Sequence, residues 1–127
     1  MASAVLDSSA ILAVLNAEPG AKVVAAALND ALVSTVNYAE VVGKLVERGS
    51  SYALALSALT AIALNVEDFD LALAQRTGEL RAGTRKRGLS LGDRACLSLA
   101  EREGIPAMTA DRSWVGAVSG IQVQLFR

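Results

Sequence analysis

Apolar positions along the chain change their spacing repeatedly, and these changes predict an alternation of short strands and helices. Ser3 to Leu6 reads as a short buried strand, and Asp7-Ser8-Ser9 supplies side-chain oxygens suited to starting a helix through Ile11, Leu12 and Leu15. Pro19-Gly20 breaks that helix, and Ala21 to Leu28 resumes at helical spacing. Leu32 to Ser34 predicts a second strand. A helix follows over about Val36 to Arg48, with Tyr38, Val41, Val42 and Leu45 on one face and Gly49 as terminator. Ser51 to Ile62 is a helix apolar nearly all round, so it must be buried inside the domain or against another chain, and we assign part of it to a partner surface. Ala63 to Val66 is a third strand, Asp68 to Arg81 a helix and Ala82 to Gly88 a basic loop. Ser90 opens a helix to about Glu103, closed by Gly104. Pro106 to Thr109 is a fourth strand, Asp111 to Trp114 at most one helical turn, and Ile121 to Leu125 a last strand.

Strands alternating with helices, without a linker or repeat, imply an α/β fold in which helices cover both faces of a parallel sheet, with residues 1–127 as a single domain. Sites in such folds form at the carboxyl ends of strands. Hydrophobic residues make up 53% of the chain and aromatics only 4%, so the core must be built from Ala, Val, Leu and Ile. The longest apolar stretch, Tyr52 to Val66, is interrupted by Ser57, Thr60 and Asn65 and is too short to span a bilayer. Met1 to Asp7 has no basic flank of the secretory kind, so a cytoplasmic, non-membrane protein is expected.

Residue usage excludes several chemistries. The single cysteine, Cys96, rules out an intrachain disulfide and a multi-cysteine zinc site. There is no histidine, which removes imidazole-held zinc, triads with a histidine base, and ribonuclease chemistry that relies on histidine proton transfer. Catalysis must rest on carboxylates, hydroxyls, Lys or Arg. The net charge of −1 gives no general pull toward nucleic acid. Yet Arg76, Arg81, Arg85, Lys86, Arg87 and Arg94 are half of the 12 basic residues, gathered in one short stretch. Within it, Arg85, Lys86 and Arg87 are candidate phosphate contacts, the alternative being a solvated charge run.

Four acids stand out by position, and each has a plain alternative. Asp7 follows the first strand directly and equally suits a helix N-cap. Glu40 lies four residues before Lys44, the spacing of an exposed ion pair. Asp111 follows the fourth strand after one residue and suits a cap on the next turn. Asp93 heads the buried stripe Cys96, Leu97 and Ala100, whereas Arg94 heads a polar stripe with Ser98, Glu101 and Arg102. Its alternative is a capping box over Ser90-Leu91-Gly92-Asp93. Two acids after parallel strands and two near helix starts can converge at one sheet edge. Converging carboxylates repel one another unless cations neutralise them, and all-oxygen ligands select hard ions, Mg²⁺ or Mn²⁺.

With these residues in view the chain resembles the PIN-domain endoribonucleases, most closely the VapC toxins of bacterial toxin–antitoxin pairs. The matching segments are Val5-Leu6-Asp7-Ser8-Ser9-Ala10, Val36-Asn37-Tyr38-Ala39-Glu40-Val41, Leu91-Gly92-Asp93-Arg94-Ala95-Cys96-Leu97 and Thr109-Ala110-Asp111-Arg112-Ser113-Trp114. Each is weakly specific alone; together they span nearly the whole chain in the family's order. The resemblance implies a three-layer α/β/α sandwich around a short parallel sheet. It implies that Asp7, Glu40, Asp93 and Asp111 form a Mg²⁺ site, with Mn²⁺ able to substitute, and that Asp7 and Asp93 are direct ligands. Glu40 and Asp111 would act directly or through water, and Ser9 and Thr109 would support the acids by hydrogen bonding. The implied reaction is hydrolysis of an RNA phosphodiester by an activated water. The implied partners are a VapB-type antitoxin, operator DNA reached only through that antitoxin, and a second copy in a homodimer. Two alternatives stay open: a non-catalytic antitoxin-binding, co-repressing module and a DNA-acting nuclease on the same fold.

Overall fold

In the computed structural model, whose described residues are 2–127, five parallel strands form one sheet. They are β1 (Ala4–Leu6), β2 (Ala31–Ser34), β3 (Asn65–Glu67), β4 (Ala107–Thr109) and β5 (Val123–Leu125), in the spatial order β3-β2-β1-β4-β5. Val5 stands opposite Leu32 on one side and Ala107 on the other, so β1 is the centre of the sheet. All residues of β1 and β4 are buried, as central strands covered on both faces require. The chain builds outward from β1 to β3, then returns to add β4 and β5 on the other side. The strand order therefore reverses between β1 and β4, where an open parallel sheet leaves a crevice.

The helices are α1 (Ser8–Leu15), α2 (Ala21–Ala27), α3 (Thr35–Glu47), α4 (Tyr52–Ala61), α5 (Leu71–Glu79), α6 (Arg81–Thr84) and α7 (Leu91–Glu103). Leu6 joins a core with Val33 of β2 and with Ile11, Val24, Val41 and Leu59 from α1 to α4. Its neighbour Val5 joins a second core with Leu73, Leu89, Leu97, Leu99 and Trp114, beneath α5 and α7. Successive strand residues point to opposite faces, so β1 alone divides the two cores and defines the three-layer α/β/α sandwich expected from the sequence. Among the described residues no helix is long and apolar enough to cross a membrane.

Several expectations are corrected. The third strand starts at Asn65 rather than Ala63, because Ala63 takes a left-handed conformation (φ 51°) while the Asn65 side chain ties to the carbonyls of Asn29 and Ala31. The fifth helix begins at Leu71, where the Asp70 side chain accepts from Leu73 N at 2.9 Å. Residues expected as a basic loop, Ala82 to Gly88, are mostly helical: α6 runs into a 3₁₀ turn over Arg85–Arg87. Thr84 Oγ1 donates to Leu80 O at 2.7 Å and fixes that turn. Arg94 and Ser98, expected on a polar stripe, are buried because α5 lies across α7. There Thr77 Oγ1 donates to Ser98 Oγ at 2.9 Å, and Arg94 Nη1 donates to Thr77 O at 2.9 Å. On α4, Ala55 and Leu59 are buried, but Tyr52 and Leu54 remain 64% and 66% exposed. This exposed apolar side is no correction, since part of the helix is expected to face a partner.

Candidate active site

Asp7 leaves the end of β1 in extended conformation and caps α1, its Oδ1 accepting from Ala10 N at 2.9 Å and from Ser9 Oγ at 2.7 Å. Its Oδ2 accepts from Thr109 Oγ1, at the end of β4, at 2.5 Å. The carboxyl is buried with only neutral donors around it, and no ion pair involves it among the described residues. Burial raises its pKa above the ordinary carboxylate value; the three hydrogen bonds oppose the shift, and the nearby Asp93 charge adds to it. The N-cap reading of Asp7 holds, and a site role for the same carboxyl is compatible with it.

Glu40 lies on the second turn of α3. Asn37, fully buried one turn earlier, donates from Nδ2 to Glu40 Oε1 at 2.9 Å and to Gly92 O at 3.0 Å. An exposed pair with Lys44 is not among the ion pairs of the described residues. The Glu40 carboxylate instead packs flat on Gly92, where a Cβ would collide with both of its oxygens. Asp93 follows, in the capping box expected from the sequence: Ser90 N donates to its Oδ2 at 2.8 Å, and its own N donates to Ser90 Oγ at 3.2 Å. Cys96, one turn on, is buried with its Sγ directed at Val5 O. Its pKa is pushed well up by burial and then by the charges of Asp7, Asp93 and Glu40, so three of the four acids bear on one buried thiol.

Asp111 opens the 3₁₀ turn Arg112–Trp114, and its exposed Oδ1 accepts from Ser113 N at 2.9 Å and Ser113 Oγ at 2.7 Å. Its backbone N donates to Thr109 Oγ1 at 3.0 Å, while Ala110 N donates to Ser9 Oγ at 3.2 Å. The two hydroxyls named from the sequence thus join the strand ends that carry Asp7 and Asp111. Arg87 secures the following loop by donating to the carbonyls of Ser113 at 3.0 Å and Val115 at 2.9 Å.

The basic stretch divides. Arg76 pairs with Glu79 at 2.6 Å and Glu101 at 2.7 Å, Arg94 is buried, and Arg87 is committed to carbonyls. Arg81, Arg85 and Lys86 are exposed, and no ion pair engages them among the described residues. Asn37 and Gly92 are the site residues that sequence reasoning passed over. Their signals were an amide one turn before Glu40 and a side-chain-free position just before Asp93.

Among the described residues no three acidic side chains lie close enough to enclose a metal ion as they stand. The donor chemistry nevertheless suits a hard cation. All the acids are oxygen donors, and Glu40 Oε2, Asp93 Oδ1 and Asp111 Oδ2 receive no protein hydrogen bond among the described residues. Asn37 Oδ1, on the side chain that donates to Glu40, is buried without a partner. Buried acceptors without donors are costly, and a cation or its bound water satisfies them.

A family model of the PIN domain matches residues 4–117, and the chain belongs to the PIN-domain family. Its fold is similar to that of DNA-bound VapBC from Salmonella typhimurium, at a TM-score of 0.79 and 19% identity, with 100% of each chain covered. VapBC2 from Rickettsia felis, bound to a DNA fragment from its promoter, matches at 0.73 and 17% over 95% of this chain and 96% of that one. VapC20 of Mycobacterium tuberculosis, a sarcin–ricin-loop-cleaving toxin, matches at 0.70 and 21% over 91% and 97%. At these identities the likeness is one of fold. No curated protein matches the sequence significantly.

Proposed function

We propose that this protein, taken as one domain over residues 1–127, is the toxin of a type II toxin–antitoxin pair and a metal-dependent endoribonuclease. The observation that carries the proposal is Asp7: a desolvated carboxyl at the strand-order reversal, held only by neutral donors and within reach of the Asp93 charge. Such a group acquires its full negative charge when a cation is beside it. Asp7 and Asp93 would hold Mg²⁺, or Mn²⁺ in its place, with Glu40 and Asp111 acting directly or through water. When bound, the ion would supply Lewis acidity toward a phosphate oxygen and toward the attacking water.

The chain's own residues do the rest. Ser9 and Thr109 fix the direction of the Asp7 lone pairs, and Glu40 Oε2 is the acceptor for a proton at the site. Asp111 adds negative charge on the solvent side, where substrate enters. Exposed Arg85 and Lys86 would contact RNA phosphates, with Arg87, bonded to the loop after Asp111, adding its charge. The partners that fit are a VapB-type antitoxin, operator DNA bound through that antitoxin, and a second copy of the chain in a homodimer, acting in the cytoplasm. The antitoxin- and DNA-containing relatives of this fold and the exposed apolar side of α4 support that reading.

The test is to express the protein, map new RNA 5′ ends across a transcriptome and repeat with Asp7→Asn. Cuts that require Asp7 support the endoribonuclease. If purified Asp7→Asn or Asp93→Asn cleaves at the wild-type rate, the site assignment fails; absence of cuts from both proteins points to a binding module instead.

A further inference from the structure

Three features of the α3–α7 contact belong together. Asn37 is buried and splits its amide between the Glu40 carboxylate on its own helix and the Gly92 carbonyl on α7, at 2.9 and 3.0 Å. Gly92 offers its bare Cα to the Glu40 carboxylate, and any side chain there would collide with both oxygens. The remaining acceptor of Asn37, Oδ1, is buried and has no partner in the protein. A buried amide with one satisfied end is strained toward a ligand or water at the other. The rotamer is fixed by chemistry: turning the amide over would set Oδ1 against the Glu40 and Gly92 oxygens.

We propose that Asn37 and Gly92 form a brace that seats the Glu40 carboxylate on the first turn of α7, beside Asp93, and that Asn37 is a positioning residue of the active site. This rests on the endoribonuclease reading above. The seat lies at the second residue of α7, next in sequence to Asp93. Without the brace, Glu40 would be an ordinary surface side chain on α3, free to swing toward Lys44. The brace couples two acids that are 53 positions apart in the chain.

The experiment combines Gly92→Ala, Asn37→Asp and Glu40→Ala, singly and with each of the first two in the Glu40→Ala background. Three quantities are read: Mn²⁺ affinity by calorimetry, cleavage of an RNA substrate, and thermal melting without metal. Gly92→Ala adds only a helix-favouring methyl group, so the protein should fold; Asn37→Asp is isosteric but sets an acceptor against acceptors. Each should weaken Mn²⁺ binding about tenfold while Glu40 is present, and by less than about twofold once Glu40 is Ala, a coupling that a merely structural role would not show. In metal-free melting, Gly92→Ala should raise the midpoint more in the Glu40→Ala background than in wild type. Folded single variants with wild-type Mn²⁺ affinity and cleavage, or equal losses with and without Glu40, overturn the brace alone. A wild-type protein that binds no Mn²⁺ and cuts no RNA overturns the functional reading and the positioning role together.

Discussion

Asp7 and Asp111 occupy equivalent places in the topology, at the carboxyl ends of the neighbouring parallel strands β1 and β4, yet they live in different solvents. Asp7 is buried and receives three hydrogen bonds, two of them from hydroxyls; Asp111 is exposed and turns one oxygen back on its own turn through Ser113. The same hydroxyl, Thr109 Oγ1, donates to one and accepts from the backbone of the other. Topology therefore selects where acids gather, but depth decides which of them is desolvated. In the proposed metal site the inner acid would carry the electrostatic demand and the outer one would act at its edge.

The largest expected effect sharpens that contrast. Asp7→Asn should lower RNA cleavage by about 10³-fold, since it removes charge at the point of greatest desolvation, where electrostatic groups act most strongly. The fold should survive, because an amide can accept from Ser9 and Ala10 and donate to the Thr109 hydroxyl, which both gives and takes; circular dichroism and single-turnover assays check both halves. Asp111→Asn should cost less, about 10–100-fold, as expected of a group that acts at the edge of a metal site. Equal losses would erase the distinction between inner and outer acids.

Thr109→Val tests the link itself. It keeps the shape but strips Asp7 Oδ2 of its donor and Asp111 N of its acceptor, and should destabilise the protein by about 1–3 kcal/mol in urea unfolding. A smaller effect separates the two acids by pH. The Asp7 pKa is raised on folding, so above the ordinary value of 3.8 the folded state holds a proton that the unfolded chain has released. That contribution to stability is whole below the unfolded value and is lost as pH rises through the folded one. Metal-free Asp7→Asn should therefore melt a few degrees higher than wild type near neutrality, and the gap should close in acid. Smallest of all, Cys96 should resist alkylation in the folded protein, because burial and the neighbouring acids keep it a thiol.

Most of the architecture was legible in the chain because strand and helix periods alternate cleanly and the caps are chemically explicit: Asp7, Ser34, Ser51, Asp70, Ser90 and Asp111 all cap through their side chains. Gly104, in left-handed conformation, closes α7 where expected. The failures have one cause. Local pattern reports which residues are apolar, not which helix ends up in the middle. Polar α7 is buried at Gly92 and from Arg94 to Ala100 because it lies beneath α5, which its own polar stripe did not reveal; apolar α4, by contrast, keeps Tyr52 and Leu54 at the surface, compatible with the partner surface expected of part of it. The Asn37–Gly92 contact was invisible for the same reason, since nothing near either residue announces a partner 55 positions away. Arg87 looked like free charge until the carbonyls of a loop 26 positions later were brought to it.

Thr109 has one proton to give, and this confers a direction on the whole mouth of the crevice. With Asp7 ionised, that proton points inward and a lone pair faces outward to the amide of Asp111. If Asp7 takes up a proton at Oδ2, the acid becomes the donor: the threonine then accepts from Asp7 and from the amide of Asp111 with its two lone pairs, and its own hydrogen must turn to another acceptor. The hydroxyl is thus a rotor that reports the charge of a hidden acid to the surface. The amide resonance of Asp111 should follow the titration of Asp7, giving a spectroscopic view of a carboxyl that solvent scarcely touches.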